Sequence, residues 1–134
     1  MMMLLVPASY LRQGLLSNAT TNAGLGIFLV VASGLLTRSF GLPSWFLLGA
    51  GLALGAFAAL LAILSMRPAI PNAVVWAVIG FNLIWAADSL LLVSTGFVQP
   101  TRAGTVFVLA QAAVAAMYAG LQWRGRRQSL IQPG

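Results

Sequence analysis

The chain has 134 residues, of which 60% are hydrophobic and 6% charged, where soluble domains carry about 25% charged residues. A soluble bundle needs a polar face on every helix, and residues 45–66 offer only Ser65 and glycines, so a water-soluble fold is excluded. Absent cysteine and histidine, with Asp88 the one carboxylate, rule out disulfides, the usual zinc or haem ligation and paired-acid catalysis within one chain; no cofactor or metal is expected, and the net charge of +6 comes from arginines dispersed at helix ends, so no nucleic-acid partner is expected either.

In chain order, Met1–Val6 is apolar but lacks a basic lead, and Pro7-Ala8-Ser9 follows too early for a secretory signal. Residues up to about Gln13 read as an interfacial lead-in, with Tyr10 and Arg12 at headgroup level. Ser17, Asn18, Thr20, Thr21 and Asn22 then offer several cap positions before a first span over about residues 18–37. Further spans follow over about residues 45–66, 73–94 and 103–123. At 1.5 Å per residue, ~20 apolar residues cross a hydrocarbon core of ~30 Å, so each can span a bilayer.

Pro43-Ser44, Pro71-Asn72 and Pro100-Thr101 each place a proline before a side chain able to cap the next helix. The loops are short, which makes sequential helices antiparallel neighbours. The predicted fold is therefore an all-α membrane protein, an up-down-up-down bundle of four transmembrane helices in a single domain over residues 1–134. With the amino terminus inside, that side carries Arg12, Arg67, Arg124, Arg126 and Arg127, and the other only Arg38 and Arg102. Arginine bias thus predicts a multi-pass protein of a bacterial inner membrane with both termini cytoplasmic. Gly26, Leu29, Ala32, Gly41 and Pro43 echo Gly80, Leu83, Ala86, Gly96 and Pro100; tandem duplication and chance similarity of apolar segments both account for this.

Lipid tails are as apolar as leucine, so helix association needs close backbone approach and interhelical hydrogen bonds. Gly51, Gly55 and Ala59 form a small-residue ridge on the second span; Ala112, Ala116 and Gly120 form one on the fourth, with Ala115 and Ala119 beside them. These ridges can seat a neighbouring helix of the same chain or a second protomer.

Asp88 is the most informative single residue. A carboxylate at the centre of a span costs ~2.5–3.5 kcal/mol on insertion scales, so it calls for a partner or a wet cavity. Counted from its own helix end, Asp88 sits toward the outer face, within reach of Arg38 and Arg102, and either an interfacial pair or a proton- or cation-binding site follows. Asn82 and Gln111 lie near the middles of their spans, at similar depths that permit a side-chain amide contact. With Trp85 and Ser89 on one helix and Tyr118 and Gln122 on the other, they define a polar seam, read either as interhelical glue or as a pocket for a lipid headgroup, quinone or small amphiphile.

Gly41-Leu42-Pro43, Asn82-Leu83-Ile84-Trp85 and the run Thr105-Val106-Phe107-Val108-Leu109-Ala110-Gln111-Ala112 resemble a group of small, uncharacterised bacterial membrane proteins with four helices. The resemblance implies fold and membrane placement and no activity. Small multidrug exporters are similar in size, but their pattern needs an acidic residue in the first span, and residues 22–36 have none. Membrane glutathione-transferase-like enzymes also have four helices, yet their intramembrane Arg and Glu positions are missing. Two functions are expected from the sequence: a structural, accessory or assembly protein without a catalytic site, partnered by the bilayer and by a larger complex or a second copy; or a carrier of a small hydrophobic or cationic ligand centred on Asp88.

Overall fold

The computed structural model describes residues 3–133, and in it four long helices stand side by side beneath a small sheet. The elements are β1 (Met3–Val6), α1 (Ser9–Val31), α2 (Ser33–Phe40), α3 (Ser44–Ser65), β2 (Ile70–Pro71), α4 (Asn72–Ser94), α5 (Arg102–Arg127) and β3 (Leu130–Pro133). Helices α1, α3, α4 and α5 are each long and apolar enough to cross a membrane. The surface they present is oily: Ile27, Leu52, Ile84, Leu91 and Val106 are all more than half exposed. Asn18, Asn22, Asn82 and Gln122, by contrast, are buried. That inversion belongs to a bundle solvated by lipid, and the protein is an all-α, multi-pass membrane bundle.

Around the bundle, α1 packs on α3 and α5, and α4 packs on α5. Side chains close the remaining side, where Phe57 of α3 stacks on Phe81 of α4 with centroids 4.0 Å apart. The α1–α3 seam depends on glycine. A Cβ at Gly26 would sit 2.7 Å from the Gly51 carbonyl oxygen and 3.1 Å from the Gly55 nitrogen, so only hydrogen fits at that crossing. Gly51 thus seats α1, and Gly55 borders the crossing, but Ala59 is exposed. On α5 the expected ridge is rotated. Ala112, Ala115 and Ala119 are buried while Ala116 and Gly120 face outward, because Tyr118 and Gln122 occupy the inner face.

The first span begins far earlier than its hydropathy suggests. Ser17 to Asn22 lie inside α1 rather than capping it, and Tyr10 and Arg12 belong to its first turns. Leu11, Leu15, Asn18, Asn22, Gly26 and Leu29 recur at helical spacing as its buried stripe, so burial carries the helix through a polar stretch. Arg12 donates through Nη1 to the carbonyls of Ser65 and Arg67, each at 2.8 Å. It thereby satisfies orphan acceptors at the C-terminus of α3 and complements its dipole. At Ala32 the backbone leaves helical geometry beside Ser33-Gly34, and α2 continues as a short helix of about two turns.

Of the three expected caps, one forms. Thr101 Oγ1 accepts the Gly104 N–H at 3.1 Å and donates to the Ser39 carbonyl at 2.7 Å, tying α5 to the end of α2. Pro43 and Pro71 themselves occupy the N-cap positions of α3 and α4, leaving Ser44 and Asn72 as first helical residues without cap bonds. Asn72 Oδ1 instead accepts from Arg126 Nε at 2.8 Å.

The sheet was not expected. Its order is β2-β1-β3, antiparallel throughout, with Leu5 opposite Ile70 on one side and Ile131 on the other. Leu5 and Ile70 are fully buried against Leu11, Leu15 and Leu61, stoppering this end of the bundle. The first and last strands therefore lie together, at the end that also carries Arg12, Arg67, Arg124, Arg126 and Arg127. Here Arg126 stacks over Trp76 at 4.6 Å and Arg127 over Trp123 at 5.0 Å. The duplication echo survives only at the turns, where Gly41 and Gly96 both take positive φ; within the helices Leu29 is 3% exposed and its counterpart Leu83 51%, while Gly26 is crowded and Gly80 faces open space.

Candidate functional site

Polar side chains from α1, α4 and α5 converge inside the bundle at mid-depth. Gln111 is saturated. Its Oε1 accepts from Trp85 Nε1 at 2.6 Å, and its Nε2 donates to Ser89 Oγ at 2.7 Å and to the Val108 carbonyl at 2.8 Å. Asn82 Nδ2 donates to Gln122 Oε1 at 2.8 Å. The Asn82–Gln111 contact that their depths permit is therefore absent. The antiparallel register of α4 and α5 sets Gln122 against Asn82, and Gln111 against Trp85 and Ser89, more than a turn farther along. Tyr118 Oη shares a 2.7 Å hydrogen bond with Thr21 Oγ1 and donates to the Ser17 carbonyl at 3.2 Å.

Asn18, Thr21 and Asn22 are the site residues that sequence reading missed. Asn22 Nδ2 donates to Asn18 Oδ1 at 3.0 Å, and both side chains are at least nine-tenths buried. Asn18 and Gln122 each retain one buried amide donor group, Nδ2 and Nε2, without a protein partner. The available signal was the spacing Asn18, Asn22, Gly26, Leu29, which aligns the asparagines with the apolar stripe.

These groups border a cavity of about 250 Å³ lined by all four long helices. Asn22, Asn82, Gln111 and Tyr118 supply its polar wall, and Phe81, Trp85 and Phe107 its aromatic one. Asn22 and Asn82 each donate one amide N–H to a neighbour, and neither side-chain carbonyl has a hydrogen bond among the described residues. A cavity of about 150 Å³ holds one benzene ring, so this one admits a substituted ring. It narrows toward Leu42 and Val108 into a cleft of about 30 Å³.

Both axial ends are closed. The sheet and the Leu11–Gly125 contact seal one, where a Cβ on Gly125 would lie 2.8 Å from the Leu11 Cα. At the other, Gly104 abuts the Phe40 carbonyl so closely that no Cβ fits, and Phe40 stacks on Phe107 at 4.8 Å. The lateral wall is different. Phe107, Ala110, Val114 and Tyr118 form one ridge of α5 at helical spacing. Its aromatic ends touch α2 and α1, and the small residues between them, Ala110 and Val114, are exposed and line the cavity. The cavity thus opens sideways, toward the surface that lipid covers.

Asp88 does not belong to this site. It is exposed on the rim of α4 beside the ridge of Phe81 and Trp85, next to Ile84 and Leu91, which are 63% and 58% exposed, and it does not line the cavity. Among the described residues no side-chain hydrogen bond or ion pair reaches it, although Ser89 and Ser94 nearby are bonded to backbone carbonyls. It is also deeper than its own helix end suggests. The Gln111 bonds to Trp85 and Ser89 set Asp88 level with about Ala112, nearly halfway between Arg102 and Arg124 of α5. The expected reach of Arg102 fails on distance, since ten residues separate the two levels, about 15 Å of helix rise. Arg38, two residues before Phe40, sits near the level of Val106 on α2, which packs on α3 and α5.

No family profile, curated protein or solved structure matches the chain. Among the described residues no group of three or more Asp, Glu, His or Cys is placed to hold a metal. What the site offers chemically is neutral: amide, hydroxyl and indole groups around an apolar volume.

Proposed function

We propose that this protein is an intramembrane binder or carrier of a small neutral amphiphile, which it takes from the surrounding bilayer. The observation that carries the reading is the sideways-opening cavity of about 250 Å³ with uncharged polar groups at mid-depth. A largely preformed apolar pocket with a few convergent polar groups is the usual form of a small-molecule site. The free acceptors of Asn22 and Asn82 favour a head bearing hydroxyl or N–H donors, flat enough to lie between Phe81, Trp85 and Phe107. Asp88 has no part in it, so the ligand need not be cationic. We place the protein in a bacterial inner membrane with both termini cytoplasmic, supported by five arginines at the end that holds the two terminal strands and two at the other.

The test uses a variant in which Trp85 is the sole tryptophan (Trp45→Phe, Trp76→Phe, Trp123→Phe), titrated in lipid nanodiscs with a bromophenol bearing a hexyl chain. Saturable quenching of Trp85 that Val114→Phe and Ala110→Phe abolish is the expected result. Quenching that rises linearly with probe, or persists with the window filled, contradicts the reading. A structural or assembly role is the second reading, and the exposed carboxylate of α4 favours it.

A further inference from the structure

The outer side of α4 carries a carboxyl group for which the described residues offer no basic counterpart at the same depth. Asp88 lies within the span, six residues before α4 ends and nearly halfway in level between Arg102 and Arg124 of α5, flanked by Ile84 and Leu91 on a surface that hydrocarbon would otherwise cover. An intramembrane carboxylate is stable when it faces a water-filled cavity or a partner, and Asp88 faces neither within this chain. Asp88 is not among the residues that line the polar cavity, although Phe81 and Trp85 on the adjacent ridge are. Every arginine lies near a helix end, and long basic side chains in membranes extend toward the headgroups rather than the core.

A second copy does not supply the missing group. Centred on the same bilayer midplane, in either orientation, its arginines occupy the same levels, with Arg102 about 15 Å of rise from Asp88 and Arg124 about 18 Å. Arg38 is the least distant in level, about 9 Å away, is exposed, and in a membrane extends toward the headgroups. An isologous contact through α4 would set Asp88 against Asp88. The neighbouring surface, meanwhile, suits a helix: Ala77, Gly80, Ile84 and Ala87 continue the outward face, Ala77 and Ala87 are exposed, and a Cβ at Gly80 would meet nothing within 4 Å. Small residues there let a second backbone approach closely.

We infer that the Ala77–Leu91 face of α4 is a docking surface for the transmembrane helix of a different protein, one that carries a lysine or arginine near the middle of its span to pair with Asp88. The pairing partner is fixed by charge and by depth together. A basic residue at mid-span is itself costly in lipid, so each helix relieves the other and association is directed to this face and register. The surface is separate from the cavity and stands whether or not the cavity binds an amphiphile.

The inference is tested with full-length protein in phosphatidylcholine bilayers, dye-labelled at Gln128→Cys, and synthetic 25-residue leucine helices labelled with an acceptor dye. The helices carry one lysine, asparagine or leucine at the centre, or one lysine at the end. Energy transfer should show the lysine-centred helix binding about tenfold or more tightly than the other three. Asp88→Leu should reduce it to the leucine level, and Asp88→Lys should transfer the preference to a glutamate-centred helix. Unchanged Trp85 emission in both variants, read in the Trp45→Phe, Trp76→Phe, Trp123→Phe background, shows that the bundle is intact. Equal association of all helices, or a lysine preference that survives Asp88→Leu, overturns the inference. Transfer between two labelled copies of the protein that Asp88→Leu abolishes would assign the face to self-association and overturn it as well.

Discussion

Helix α4 has two polar faces that are treated in opposite ways. Inward, Asn82, Trp85 and Ser89 are uncharged and each is bonded to α5. Outward, Asp88 brings a carboxyl group that is bonded to nothing among the described residues. The inner set holds two helices in register, and its removal disturbs the fold. The outer residue contributes nothing to the isolated bundle and costs insertion energy, so its use lies outside the chain. Polarity inside a membrane protein is explained by contact, and its absence from the contact network is as informative as its presence.

Several changes sharpen the contrast between an inner face that holds the structure and an outer one that does not. Gly104→Leu would drive a side chain into the Phe40 carbonyl and split α2 from α5. A loss of about 3 kcal/mol or more is expected, read by thermal unfolding in detergent, together with poor recovery of protein. Gly51→Leu should act similarly by prising α1 from α3, since its Cβ would already lie 2.7 Å from Val30 Cγ2. Gln111→Leu removes the acceptor of Trp85 Nε1 and the donor to Ser89. It should cost about 1–3 kcal/mol and shift Trp85 emission as the indole loses its partner. Asn82→Leu breaks one interhelical bond, worth about 0.6–2 kcal/mol by the same unfolding measurement. Asp88→Leu should leave the unfolding temperature of the isolated bundle within the range of about ±0.5 kcal/mol seen for contact-free surface changes. If Asp88→Leu proves as damaging as Gln111→Leu, the two faces are not distinct and the comparison fails.

Much of the architecture was legible in the sequence, because a bilayer imposes a length and a composition that can be counted. The apolar runs and the proline punctuation locate α3, α4 and α5 to within a few residues. The beginning of α1 was not legible: Ser17, Asn18, Thr20, Thr21 and Asn22 lower the local hydropathy, and the same residue types that cap helices also build polar interiors. The sheet escaped notice because its strands are two to four residues long and held only by pairing across the whole chain. Asn82, Trp85, Gln111 and Tyr118 were singled out from depth and spacing, and the structure brings all four to one cavity. Their pairing was misjudged, since register between helices is fixed by packing and not by position within each span. The reach of Arg102 toward Asp88 was misjudged for the same reason, because α5 extends beyond the end of α4 and the loop between them folds back to bury Val98.

The orientation of α4 is the point on which the cavity and the docking face both rest. The chain has no cysteine, so single-cysteine variants from position 80 to 92 can each carry a nitroxide label in bilayers without a background signal. Collision with dissolved oxygen should vary with a period of about 3.6 residues, high at 84, 88 and 91 and low at 82, 85, 86 and 89. High collision at 82 and 85 with a minimum at 88 would mean that the carboxylate points inward, and would contradict the account.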